Sequence, residues 1–189
     1  MCINHAKGKK GVKTVAVART LHPQVIDVIK TRAEPFGVRI VEVDPLSYDP
    51  ESAVDGGFCG MIVAYPNTFG TVEDYRAVAA KVHKAGGLFV VDADLLSLAL
   101  LKEPAAFGAD VCVGTSGRLG TPMGYGGAHA AFLATTDRFK RIMAGRIIGV
   151  SRDAAGAEAY RMALGTREQQ IRRERATSNI CTASALMCQ

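Results

Sequence analysis

No apolar run in this sequence approaches the ~18 residues that a membrane-spanning helix needs. The first ten residues, MCINHAKGKK, lack the hydrophobic core of a secretory signal. Five cysteines (Cys2, Cys59, Cys112, Cys181 and Cys188) include no CxxC pair and no Cys/His ligand spacing, which argues against a zinc site or a disulfide framework. Cys59 and Cys112 sit in apolar runs and read as buried thiols, as expected in a reducing compartment. Charge of one sign is also scarce: 23 basic residues stand against 18 acidic ones, and the two mostly alternate. A nucleic-acid domain would gather its basic residues on one face. No internal repeat or low-complexity linker is evident.

What is present suits one globular unit. Of 189 residues, 48% are hydrophobic and 22% charged, enough for a core that needs no metal or disulfide staple. Both ends read as interrupted. MCINHAKGKKG resembles a helix end with a glycine stop, and SNICTASALMCQ stops inside an apolar, helix-like pattern without a cap. The expectation is a portion of a longer chain.

β-like runs alternate with amphipathic stretches. VKTVAV (residues 12–17) precedes a helical segment over 23–33, where Val25, Ile26, Val28 and Ile29 form an apolar stripe. VRIVEV (38–43) and GMIVAY (60–65) follow, then a PNTFGT turn and a helix predicted over 72–85 with Thr71 as N-cap. LFVV (88–91), DVCV (110–113) and AHAAFLAT (128–135) complete the strands. Strands apolar on both faces and separated by helices predict an α/β domain over residues 1–135, a mostly parallel sheet with helices on both faces. From Thr136 the texture changes, and residues 136–189 read as a charged, helical segment leading toward a following domain.

Five features are candidates for function. GTSGRLGTPMGYGG (114–127) holds six glycines and a single charge, Arg118, so its backbone either comes close to something or simply turns. No lysine follows the glycines, and the pattern matches neither common nucleotide-binding fingerprint. His22 directly follows the first strand, at the sheet edge where ligands bind in open parallel sheets; a helix-start histidine bonded to backbone is the plainer reading. Asp92 and Asp94 fall at the end of the LFVV strand. Asp94 is most simply a cap for the following turn, whereas Asp92 is less easily explained. Five arginines between Arg161 and Arg175 are interleaved with Glu168 and Glu174 and accompanied by no aromatics, which favours a solvated face or a subunit contact over nucleic acid. Cys181 in SNICTA is either a half-buried thiol or a redox-sensitive one. His5, His83 and His129 show no partner pattern.

Several long segments resemble one family. TPMGYGGAHAAFLA, GRIIGVSRDAAGAEAYRMALGTREQQIRRERATSNICTASAL, RTLHPQVIDVIKTRAEPFG and DADLLSLALLKEPAAFGADVCVG, in their order along the chain, are similar to the N-terminal half of the P-protein of the glycine cleavage system, glycine dehydrogenase (decarboxylating). The resemblance covers nearly the whole chain. It implies the large domain of pyridoxal 5'-phosphate (PLP) enzymes of aminotransferase fold type I. It also implies a part in decarboxylating glycine and transferring an aminomethyl group to the lipoyl arm of the H-protein. In such enzymes a lysine amine anchors PLP just before a glycine-rich turn. Here Gly117-Arg118 occupies the place of the family's His-Lys pair, and a guanidinium that stays protonated cannot form an imine.

The resemblance further implies that this is the half without the anchor, the catalytic half or subunit being its partner. His22 would lie where a histidine stacks on the cofactor ring, and Asp92 where an acid meets the ring nitrogen. Departures are Asp92 itself, where this half usually has a small residue, Gly117 in place of glutamine and Ala128 in place of proline. No catalytic residue, metal, nucleic acid or membrane is expected of the chain alone. A non-catalytic binding or subunit-interaction module remains the alternative. The compartment would be cytoplasmic in a bacterium and the mitochondrial matrix in a eukaryote.

Overall fold

The computed structural model describes residues 1–8, 10, 11, 13–52, 57–125, 127, 129–143, 147–164 and 173. Ala128, Cys181 and most of TREQQIRRERATSNICTA lie outside the described residues. The described residues fall into two compact units, divided between Thr136 and Asp137.

The first unit is built on six strands: β1 (Thr14–Ala18), β2 (Arg39–Val43), β3 (Phe58–Tyr65), β4 (Leu88–Ala93), β5 (Val111–Thr115) and β6 (Ala131–Thr135). Their order is β2-β1-β3-β4-β5-β6, parallel throughout except for the antiparallel return of β6 on β5. The helices are α1 (Cys2–His5), α2 (Pro23–Ala33) and α3 (Arg76–Lys84). The connection through α2 moves one way along the sheet and that through α3 the other. Right-handed crossovers therefore place the two helices on opposite faces, as an α/β layering requires.

Buried strands explain the continuous apolar runs. All five residues of β1 are buried, and β3 and β4 are buried at all but one position each. Between sheet and helix, Tyr75 packs edge-on against Phe89, and Tyr65 against Phe107, with ring centroids 6.0 and 5.0 Å apart. The Tyr75 hydroxyl donates to the Ala64 carbonyl at 3.2 Å, and burial pushes its pKa up to about 12. An edge-to-face cluster of this kind adds specificity to area burial.

Helix α2 begins where Pro23 presets the first helical φ and lacks an N–H to leave unsatisfied. Helix α3 starts four residues later than the apolar spacing predicts. Thr71 is not its cap: the Asn67 side chain accepts from the backbone N–H groups of Phe69 and Thr71, holding 67–71 as a closed loop. Asp74 then accepts from the Arg76 N–H at 3.1 Å and opens the helix.

One buried carboxylate ties the amino edge of the sheet. Asp110, only 4% exposed, accepts from the Phe89 N–H at 2.9 Å and pairs with His83 Nε2 at 2.8 Å. Its carbonyl accepts from the Thr135 hydroxyl at 2.8 Å. One residue thus links β4, the end of α3 and the β5–β6 pair.

The second unit corrects a sequence reading. The expectation of helix over residues 136–189 does not hold for β7 (Ile147–Arg152) and β8 (Glu158–Leu164), which form an antiparallel hairpin. Alternation decides it. Ile148 and Val150 face across to Met162 and Tyr160 on one side of the ribbon. At the turn, Asp153 Oδ1 accepts from the Ala155 and Ala157 N–H groups, and Gly156 takes φ 84°. The alanines of DAAGAEA favour helix on propensity alone, but this turn chemistry outweighs them.

Replacing Asp110 by alanine leaves the buried Phe89 N–H without its acceptor and is expected to cost about 1.5–3 kcal/mol in urea unfolding. His83→Gln is expected to cost less, because that ring is 39% exposed.

Candidate functional site

The strand order reverses direction between β1 and β3, and in open parallel sheets the crevice beyond the carboxyl ends at such a switch receives ligands. A cavity of about 390 Å³ lies there. It is lined by residues from the ends of three parallel strands and from the loops after them: Ala64 on β3 and Pro66 just after it, Asp92 and Ala93 on β4 and Asp94 just after it, Gly114 and Thr115 on β5. His22 and Val25 reach it from the start of α2, and Arg118 from the turn after β5.

The structure therefore brings His22, Asp92, Asp94 and Arg118 to one place. No lysine is among the described residues lining the cavity. The arginine stretch contributes nothing there: Arg161 lies on β8 and, with Arg173, is described, while Arg167, Arg172 and Arg175 lie outside the described residues.

Each side chain is held differently. His22 stands at the N-cap position of α2 but makes no capping bond with its side chain. Its Nδ1 instead meets the Thr68 hydroxyl at 3.2 Å, which leaves Nε2 without a partner among the described residues. Asp94 begins a tight turn, accepting from the Leu96 N–H at 3.2 Å through Oδ1. Its Oδ2 accepts from Arg118 Nη1 at 2.7 Å. This ion pair was not legible in the sequence, because 24 residues separate its members.

Asp92 is the exception to this pattern of satisfied groups. It sits inside β4, opposite Ala64 and Val113, rather than beyond the strand. It is half-buried, and no described residue donates a hydrogen bond to its carboxylate. Burial pushes its pKa up, and nearby His22 pulls it partly back. The neighbouring Cys112 thiol is pushed up to about 11 by burial, with the Asp92 charge acting in the same direction. That thiol is protonated at neutral pH and is no nucleophile.

The glycine loop divides into unlike positions. A Cβ on Gly114 would fall 2.2 Å from the Ala93 carbonyl oxygen, so only glycine lets β5 approach β4 at the cavity floor. Gly120 closes the turn at φ 125°, a backbone that side-chain-bearing residues rarely adopt. Gly117 donates its N–H to Thr115 Oγ1 at 3.1 Å, and the Thr115 hydroxyl donates to the Ala130 carbonyl at 3.1 Å. The loop is thus a turn knitted by its own bonds, with one real close approach.

The fold has counterparts among solved structures. Cystathionine gamma-lyase from Lactobacillus plantarum, complexed with L-serine, shares the fold at 16% identity and a TM-score of 0.56, over 72% of this chain and 36% of that one. Glycine decarboxylase (P-protein) of the glycine cleavage system, in inhibitor-bound form, matches at a TM-score of 0.85 and 35% identity, over 98% of this chain and 42% of that one. Among curated relatives, glycine dehydrogenase (decarboxylating) 1, mitochondrial, of Arabidopsis thaliana is 53% identical over 187 residues. The mitochondrial enzyme of that name from Dictyostelium discoideum is 52% identical over the same length. The family model described as glycine cleavage system P-protein matches residues 1–189, and the chain belongs to that family. It spans 18% of the length of these two curated relatives.

Because the folded state raises the Asp92 pKa, the ionised carboxylate weakens folding, and the penalty grows as pH rises through the carboxylate range. Asp92→Asn is expected to raise the neutral-pH Tm by roughly 1–4 °C. That gain is expected to vanish in melts run at pH values where Asp92 is protonated in both states.

Proposed function

We propose that this chain is the part of a PLP-dependent glycine decarboxylase that lacks the imine-forming lysine. One observation carries the reading: Arg118, in the turn after β5, lines the same crevice as His22 and Asp92. A guanidinium stays protonated at any pH a protein survives, so it has no free electron pair for a carbonyl carbon. The residues present fit a cofactor ring in part, with a carboxylate and an imidazole at one crevice, but they do not fit a covalently held PLP.

In the complete enzyme, PLP supplies the electron sink that lets glycine lose CO2, and the anchoring amine comes from the other half or subunit. What this chain contributes is structural. Six of its exposed apolar side chains lie on the loops beyond the carboxyl ends of β3, β4 and β5: Phe69, Leu96, Leu100, Leu119, Met123 and Tyr125. Parallel strands bring those loops to one edge of the sheet. Apolar surface concentrated at one edge suits burial against another protein surface. That partner is the catalytic half, and the lipoylated H-protein is the second partner of the whole assembly.

Among the described residues no helix is long and apolar enough to cross a membrane. The Arabidopsis and Dictyostelium relatives are named mitochondrial. In a eukaryote this chain would act in the mitochondrial matrix.

The test is reductive trapping. The chain is incubated with PLP, reduced with borohydride and mapped by mass spectrometry. No single internal lysine is expected to carry a stoichiometric adduct. A stoichiometric adduct at one internal lysine of the unaltered chain overturns the reading.

A further inference from the structure

The crevice keeps a charge pattern of its own. Two carboxylates, Asp92 and Asp94, line it against one guanidinium, Arg118. Arg118 is already committed to Asp94 at 2.7 Å. The other groups able to bind an anion are committed as well. The Gly117 N–H goes to Thr115, and the Thr115 hydroxyl goes to the Ala130 carbonyl. The residue that opens α2, Pro23, has no N–H to offer. A phosphate entering here would meet an excess of carboxylate charge and an arginine already paired with Asp94.

The acceptor side is the reverse. The Asp92 carboxylate projects into the crevice with no donor from any described residue, and His22 Nε2 is unengaged beside it. A half-buried acid without a donor is costly to keep, and what relieves that cost is a cation or an N–H donor. The walls are apolar or lack polar side-chain atoms (Val25, Ala64, Pro66, Ala93 and Gly114). At about 390 Å³ the space falls within the range of small-molecule sites.

We infer that this crevice is a non-covalent site for a small molecule that carries a protonated nitrogen and no phosphate, with Asp92 as the acceptor. The inference rests on the placement of Arg118 at the anchor position and goes past it. The half that cannot hold phosphorylated cofactor through an imine keeps a binding site of opposite preference. Asp92 is a binding residue here, and Arg118 acts through Asp94, holding that carboxylate away from the ligand.

Pyridoxamine and pyridoxamine 5'-phosphate share a ring and an aminomethyl group and differ only in the phosphate. They therefore separate the two preferences in isothermal titration against the intact chain, with inorganic phosphate as a third probe. Pyridoxamine is expected to bind, its phosphate ester to bind weaker by about tenfold or more, and inorganic phosphate not to bind. Asp92→Asn, near-isosteric and expected to fold at least as stably, is expected to weaken pyridoxamine by about tenfold or more. Its thermal melt, recorded alongside, verifies that the variant is folded. Equal or tighter binding of the phosphate ester overturns the inference, as does unchanged binding in Asp92→Asn or no binding of pyridoxamine. Failure here with a clean borohydride result leaves the Arg118 placement standing, so the two readings fall separately.

Discussion

An arginine bonded to an aspartate across the carboxyl edge of a parallel sheet sets the charge pattern of the crevice. Arg118 and Asp94 meet at 2.7 Å, the first two-thirds exposed and the second mostly covered. A pair so open to water adds little stability. Its importance is positional, because it ties the turn after β5 to the turn after β4 and pairs the only arginine among the described residues lining the crevice.

Around that pair the crevice is divided between satisfied and unsatisfied groups. Thr115, Gly117 and Asp94 bond among themselves and to the backbone, which rigidifies the turn. Asp92 and the outer nitrogen of His22 are left facing the space. Membership of the P-protein family explains why a crevice is there at all, since the sheet order and strand ends belong to the fold. The acid inside β4 gives the crevice much of its electrostatic character.

Much of the architecture could be read from the sequence where local chemistry was unambiguous. Proline at the first position and an apolar stripe gave α2 its observed bounds, and the apolar runs marked the strands to within a few residues. The start of α3 was misread because an asparagine side chain, not the predicted threonine, takes up the loose N–H groups of the preceding loop. The β7–β8 hairpin was hidden by alanines whose helical preference yields to a well-bonded turn. Within the crevice, His22 and Asp92 could be nominated from their places after strands. The partnerships of Arg118 with Asp94 and of His83 with Asp110 could not, since each joins residues more than twenty positions apart.

The buried Asp110 lies at the opposite edge of the sheet from the crevice, where it joins β4, β5, β6 and α3. Framework and pocket therefore answer to different ends of the same strands. Side chains at the mouth are free to change their charge or lose a nucleophile while the scaffold beneath keeps its shape. Such an arrangement lets the charge of a binding crevice vary without cost to the fold beneath it.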